Sequence, residues 1–402
     1  MRLLFITPAL PYPPLTGSAV IALNHMKHLA VRHTVDLISF KNRRNPGELG
    51  DLPRWCNEII LIDRPPRWRV LVRMLSRATR DPHPVVSGFV SAEMTRIING
   101  QLADGRYDVI LFQLLQTAQF LPSWYQGRTA WCLEDPPALK SQRMLPLYPW
   151  YKRPVVWSWI GRLRRYERLQ ASRFDRVILV NRQDSLDYKK FLNGVSLDWV
   201  PHGIDTNAFR SSCGTSRREG MIVITGNMYH RPNVDAVEYF CREIFPLVCQ
   251  RVPFATLWLV GAGPVSRVRK WTRDSRIKVT GFVPDIRPYL QEAMVSACPV
   301  RLQIGTQTKI LEALACGTPV VTSPAGNHGI GAASGEHLYV ASDPVEFADK
   351  IVALLRGERW SELSQNGRRF VEDNFTWEKS TEKLEQVLEE MVTMNGRALA
   401  LN

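Results

Sequence analysis

Short apolar runs alternate with longer amphipathic stretches along almost the whole chain. RLLFIT, TVDLISF, EIILID, DVILFQ, TAWCLED and RVILVN fall in the first half. MIVITG, ATLWLVG, IKVTGF, VSACPV, TPVVTS and HLYVA fall in the second. Runs of this length, β-branched and apolar at successive positions, predict parallel strands buried on both faces. Their alternation with helices predicts doubly wound α/β sheets, and two series predict two Rossmann-like domains. The polar, glycine-containing stretch from Asp198 to Glu219 predicts the break, giving one domain over 1–200 and a second over 201–380. From Asn366 to Met394 the pattern is helical. Phe370, Val371, Phe375, Trp377, Leu384, Val387, Leu388 and Met391 form its expected buried set. There is no repeat of 20–50 residues and no low-complexity tract.

Composition narrows the class. The chain has 402 residues, 45% hydrophobic and 22% charged, which is globular and long enough for two sizeable cores. Seven cysteines without a CxxC pair argue against a disulfide framework or a structural zinc site and fit a reducing cytosol. The start MRLLFITPAL reads as a buried first strand rather than a signal peptide. No apolar stretch approaches the roughly 20 residues that span a bilayer. Charge is uneven. Residues 1–200 carry 29 basic and 16 acidic side chains, a balance of +13, against 23 and 22 in residues 201–402. That asymmetry points to an anionic partner surface.

The richest window is PVRLQIGTQTKILEALACGTPVV, Pro299 to Val321. It predicts a strand end, a polar loop over Gly305, Thr306 and Gln307, a helix opening near Thr308, and a further strand. Lys309 and Glu312 are three apart and share a helix face. A helix N-terminus presents free N–H groups and a positive dipole end, which suit phosphate. A lysine there adds charge for a diphosphate, and a carboxylate suits ribose or sugar hydroxyls. The same spacing also occurs in ordinary solvated pairs, so the flanking turns matter. Gly17 and Ser18 precede the first helix, Gly226 follows the strand MIVITG, and LVGAGP closes the next strand. None of these turns is a GxGxxG fingerprint, so a dinucleotide is not supported. In open α/β sheets ligands sit beyond the carboxyl strand ends, which places a site between two facing sheets.

These pieces resemble, in order, the family 4 retaining glycosyltransferases of the GT-B fold, in which two Rossmann-like domains face each other across a cleft. The resemblance rests on the proline-rich loop ending at Gly17, YERLQASRFDRVILVNRQDS, VPHGID, TGNMYHRPNVDAVEYF, LVGAGP, VTGFVPDIRPYL, KILEALACGTPVVTSPAGNHGI and NGRRFVEDNFTWEKSTEKLEQVLEEM. It is nearest to the exopolysaccharide-type branch with a lysine three residues before the glutamate. The resemblance implies transfer of a sugar from a UDP- or GDP-linked donor, without a resident cofactor or metal. It implies donor binding by Gly17, Gly226, Asn227, Phe282, Val283, Gly305, Thr306, Gln307, Lys309 and Glu312, with Lys309, Glu312 and Arg231 at the departing diphosphate. It also implies that residues 381–402 form a helix crossing back to the first domain. No DxD-like pair stands where a phosphate-bridging cation would need one.

Departures from the family pattern are specific. Ile304 stands where the first of two glutamates is usual, Gln307 where this branch has arginine, and Asn227 where a phosphate-binding arginine is frequent. Arg231 or Arg301 could substitute. Gln113, Glu134 and Asp135, at carboxyl ends of first-domain strands, are the acceptor-side candidates. His202 in VPHGID suits a hinge hydrogen bond. His25, His28 and His33 lack metal-triad spacing and read as surface residues.

Two segments interleave aromatic and basic residues: Arg64 to Arg77, and Met144 to Leu169 with Trp150, Trp157 and Trp159. Either they dock on anionic lipid, as befits a cytoplasmic enzyme peripheral on the inner membrane face with a glycan or lipid-linked acceptor, or their tryptophans are core. Nucleic acid is not expected, since no binding motif accompanies the charge. Two other readings stay open. One is a non-catalytic partner subunit that binds nucleotide sugar or membrane. The other is a GT-B sugar-nucleotide epimerase.

Overall fold

The computed structural model describes residues 1–42, 47–66, 84–192, 194–211, 217–303 and 305–399. The chain divides into two compact units. The first comprises Met1–Pro201 with Ser380–Asn402, and the second comprises His202–Lys379.

The first unit is built on a seven-stranded sheet. Its strands are β1 (Arg2–Thr7), β2 (Thr34–Phe40), β3 (Glu58–Ile62), β4 (Val109–Gln113), β5 (Thr129–Glu134), β6 (Arg176–Leu179) and β7 (Leu197–Trp199), in the order β3-β2-β1-β4-β5-β6-β7. Every pairing is parallel. The alternation of side chains explains the apolar runs. Leu4 and Ile6 enter the core on one face of β1, and Leu3 and Phe5 enter the core on the other. The second unit repeats the plan with six strands: β8 (Arg218–Thr225), β9 (Thr256–Val260), β10 (Ile277–Gly281), β11 (Ala293–Cys298), β12 (Val320–Thr322) and β13 (Tyr339–Val340). Their order is β10-β9-β8-β11-β12-β13. Ile222 and Ile224 face one core layer, Met221 and Val223 the other.

All twelve predicted strands are present, and the α/β doubly wound class holds in both units. The pattern missed β7, a three-residue edge strand whose central Asp198 breaks the apolar run; Leu197 pairs with Val177.

The helices that place side chains for function are α1 (Gly17–Leu29), α2 (Pro137–Met144), α3 (Arg153–Ala171), α4 (Arg182–Lys189), α5 (Arg231–Tyr239), α6 (Thr308–Ala315), α7 (Trp360–Asn374) and α8 (Trp377–Leu399). The C-terminal segment expected as one helix is two. Ile204 bridges to Thr376, and the Ile204 N–H donates to the Phe375 carbonyl at 2.6 Å, between α7 and α8. Of the expected buried set, Phe370 is partly buried and the other seven are buried.

Two of the three histidines expected at the surface, His25 and His33, behave otherwise, and His28 is half-buried. His25 is buried with Nε2 3.0 Å from Ser380 Oγ, and His33 Nε2 lies 2.6 Å from Glu385 Oε1. Both sit on the α1 side that α8 covers with Leu384, Val387, Leu388 and Met391. Helical spacing in α1 alone cannot show that a distant helix packs there. Six cysteines lie among the described residues, all as free thiols, five of them buried.

Candidate functional site

In both sheets the strand order reverses beside the first strand of the unit, between β1 and β4 and between β8 and β11. Helices leave such a reversal on opposite faces, so space opens at the carboxyl ends of those strands. In the second unit that space is a pocket of about 400 Å³. Gly226 and Asn227 after β8, Gly261 and Ala262 after β9, Phe282 and Val283 after β10, and Lys309 and Glu312 of α6 line it. The volume lies in the range usual for small-molecule sites. A larger groove of about 570 Å³ opens beside Trp271 and Ile277, at the amino end of β10. It lies at the wrong end of the strands for a switch-point site.

Two glycines make the pocket possible. Gly226 has φ +141° and Gly261 has φ +146°, a region closed to other residues. A β-carbon on Gly261 would stand 2.0 Å from the Gly226 carbonyl oxygen. One on Gly226 would stand 2.9 Å from Asn233 Nδ2 and 3.2 Å from Lys309 Nζ. The turn also closes on itself, with Gly226 N–H donating to the Val260 carbonyl at 3.0 Å.

Lys309 is half-buried in the first turn of α6, and its Nζ donates to Asn233 Oδ1 at 2.7 Å. Asn233 Nδ2 in turn donates to the Asn227 carbonyl at 3.0 Å. The ammonium is therefore aimed by α5 and held beside the glycine turn. Glu312 faces the same pocket, and its carboxyl group makes no hydrogen bond among the described residues. Burial pushes its carboxyl up to about 7, against the opposing pull of Lys309. Two enclosed hydroxyls, Thr225 Oγ1 and Thr306 Oγ1, also have no partner. Of these, Thr225 lines the pocket, where an unpartnered polar atom marks a place for a polar ligand to complete the bonding. Phe282 is 76% exposed at the rim, an open aromatic face.

Other predicted residues have different placements. Gly305 (φ +55°), Thr306 and Gln307 form the loop that enters α6, packed against Gly329. Arg231 opens α5 on the surface and is not among the residues lining the pocket. Arg301 is bound to Asp235 through Nε at 2.9 Å and lies over the Tyr239 ring. Ile304 lies outside the described residues. Gly17 belongs to the first unit, at the start of α1, where Thr16 caps the helix through the Ala19 N–H. His202 is buried against Trp377, its ring held down at about 4 by burial. Asn233 and Gly261 were not singled out from the sequence. The available signal for Asn233 was its place in the first turn after Gly226.

The first unit ends its switch point differently. Gln113 closes β4 and donates from Nε2 to the Ser18 carbonyl at 2.9 Å and to Glu134 Oε1 at 3.0 Å. Glu134 closes β5 with φ +64°, a strained conformation for a side chain of this size. It is buried, and burial pushes its carboxyl up to about 7. Beside it is a cavity of about 30 Å³, lined by His25, Gln113, Cys132, Glu134 and apolar neighbours, room for a water or two. Asp135 lies next to this pair, turned toward Lys140 at 3.3 Å. Burial raises its carboxyl, and Lys140 opposes that.

Known proteins resemble the chain in part of its sequence and in its fold. Residues 219–357 match the model of a family described as Glycosyl transferases group 1. The matched stretch lies within the second unit. Over nearly the full chain, the fold is that of GT-B glycosyltransferases. Sucrose-phosphate synthase from Thermosynechococcus elongatus superposes with a TM-score of 0.73 at 17% identity, covering 98% of this chain and 100% of that one. Anabaena HepE in complex with UDP and glucose does so with 0.66 at 14%, covering 97% and 99%. WaaG, a glycosyltransferase involved in lipopolysaccharide biosynthesis, gives 0.65 at 14%, covering 96% and 99%. No curated protein matches the sequence.

Proposed function

We propose that the protein transfers a sugar from a nucleoside-diphosphate sugar to a glycan or lipid-linked acceptor, as a family 4 enzyme of the exopolysaccharide-type branch. The observation that carries the reading is the glycine-lined pocket at the second switch point, with a lysine ammonium fixed by Asn233 and a carboxyl facing the same space. Lys309 meets the charge that develops on the diphosphate, with loop amides from Gly305 to Gln307 beside it. Glu312 meets ribose hydroxyls, and Phe282 with Val283 offers the base an apolar platform. The bond between the anomeric carbon and the β-phosphate oxygen breaks, and the acceptor oxygen forms its bond on the same face. The acceptor proton passes to the departing phosphate. Donors already oriented toward developing charge supply the stabilisation that a metal would otherwise give.

HepE in complex with UDP and glucose, on the same fold, supports a UDP-linked donor; GDP is the other candidate. The working place in this reading is the inner face of the cell membrane, held peripherally. Among the described residues no helix is long and apolar enough to cross a membrane.

Incubation with a panel of nucleotide sugars tests the reading. Slow release of free sugar and nucleoside diphosphate from one donor, persisting in EDTA and lost in Lys309→Ala, is expected. Inversion at C2 of the sugar would instead make the protein an epimerase. Absence of both hydrolysis and inversion across the panel would leave a binding subunit.

A further inference from the structure

Helix α3 buries one face and leaves an unusual surface on the rest. Val156, Ile160, Leu163, Tyr166 and Ala171 are buried, spaced as the inner side of a helix demands. Around its start, Trp150 is 79% exposed, Trp157 59% and Trp159 44%, with Tyr151 and Val155 exposed beside them. Tryptophan is rarely left so open, and three within ten residues, one on the preceding turn and two on the helix, are not core. The alternative in which these rings fill the domain interior is therefore excluded.

The arrangement of the rings limits what can cover them. Trp157 and Trp159 are two residues apart and project to nearly opposite sides of the helix. Trp150 sits on the preceding turn. The two helical rings flank the buried side from opposite edges, with Trp150 ahead of them, instead of forming a single stripe, so they match neither a partner helix nor a flat protein face. They do suit a fluid surface that closes around a tip. Arginines follow along the axis. Arg162, Arg164, Arg165 and Arg168 lie about 4.5 to 13.5 Å along the axis beyond Trp159, at 1.5 Å per residue, with Arg164 turned over the Phe191 ring. From Met144 to Leu169 there are six basic side chains and one acid. That acid, Glu167, is buried, accepting from the Ala138 N–H at 2.8 Å and from the Tyr188 hydroxyl at 2.8 Å. The outward charge of the segment is entirely positive. The other aromatic–basic segment does not share this geometry where it is described. Arg64 donates to the Pro8 carbonyl and covers the Phe89 ring, and residues 67–77 lie outside the described residues.

We infer that the start of α3 is a bilayer-docking tip: the tryptophan collar enters the headgroup layer of an anionic membrane while the arginines behind it lie against lipid phosphates. Aromatic rings favour that depth, and cations near the surface are drawn to anionic lipid. The inference deepens the proposed peripheral enzyme with a lipid-linked acceptor and takes its purpose from that reading. Its test needs neither donor nor acceptor.

Full-length protein is sedimented with vesicles of phosphatidylcholine alone or mixed with phosphatidylglycerol, across a salt series. Binding to the anionic vesicles is expected, weakening as salt screens the charge and leaving a salt-resistant residue. Each cation at such a surface is worth about fivefold in binding constant, so Arg165→Glu with Arg168→Glu should weaken binding at least roughly 25-fold. Trp150→Ala with Trp157→Ala should remove the salt-resistant part. Both variants should keep the thermal midpoint and the nucleoside-diphosphate affinity of the parent. Three results would overturn the inference: no binding, equal binding to neutral and anionic vesicles, or a dimer that the tryptophan variant dissolves. A chain that docks but turns over no donor would remove the transferase reading and leave the docking tip standing.

Discussion

At the switch point of the second sheet two glycines leave a pocket of about 400 Å³, whereas at that of the first sheet side chains leave about 30 Å³. The topology is the same, so strand order does not make the difference. In the second unit the first residue after β8 and after β9 has no β-carbon, and the turns press backbone on backbone. The nearest side chains are the Asn233 amide and the lysine cation it holds. In the first unit β4 and β5 end in Gln113 and Glu134, which bond to each other and fill the space. One switch point is open and electropositive. The other is closed around a carboxyl that burial pushes up to about 7. An open αβ switch point thus gives only a location; the residues at the strand ends decide whether it binds or packs.

The largest expected effect breaks the open side. Gly261→Ala places a β-carbon 2.0 Å from the Gly226 oxygen at a φ of +146°. A loss of stability of about 3 kcal/mol or more is expected, with nucleoside-diphosphate binding no longer detectable by calorimetry. Normal affinity in this variant would mean that the glycine turn is not part of the site.

Lys309→Ala tests the charge without touching the shape. It should lower donor turnover roughly 100-fold, or about 3 kcal/mol of transition-state stabilisation, and leave the thermal midpoint near that of the parent. Near-parental turnover and affinity would remove Lys309 from the diphosphate.

Glu134→Gln sharpens the closed side through pH. The folded state holds this carboxyl up to about 7, above the ordinary value of 4.5. The folded protein therefore binds the proton more tightly than the unfolded chain. The stability Glu134 contributes is fully present below about 4.5 and is lost as pH rises through about 7. The amide keeps the bond from Gln113 and carries no charge. Urea midpoints should match the parent at pH 5 and exceed it at pH 8, by about 1–3 kcal/mol. An unchanged difference between the two pH values would show that the carboxyl is not buried in its charged form's disfavour.

Gly17→Ala has the smallest expected effect and contrasts with Gly261. A β-carbon at Gly17 meets nothing within 4 Å. At a helix start, alanine should change stability by no more than about 1 kcal/mol, in the stabilising direction. A thermal scan giving a large loss would mean that α1 starts in a tighter environment than this.

The twelve predicted strands, the helix at Thr308 and the shared face of Lys309 and Glu312 were readable because each is a local property. Apolar runs of five or six residues need two buried faces, and a three-residue spacing fixes a helix side wherever the helix lies. What could not be read was which elements meet. Asn233 reaches Lys309 across 76 positions, and His33 meets Glu385 across 352. Neither pairing leaves a periodic trace near the residues involved. The openness of Gly226 depends on Gly261, which only the β8–β9 pairing brings beside it. The pattern of α3 was compatible with tryptophans in the core or in solvent. Packing decided, because Val156, Ile160 and Leu163 already fill the inner side and leave Trp157 and Trp159 no room there. The sequence by itself determined the elements and the chemistry each could offer. The tertiary structure decided which of those groups share a pocket, which are sealed away and which face outward, because those outcomes depend on sheet order and on contacts between residues far apart in the chain.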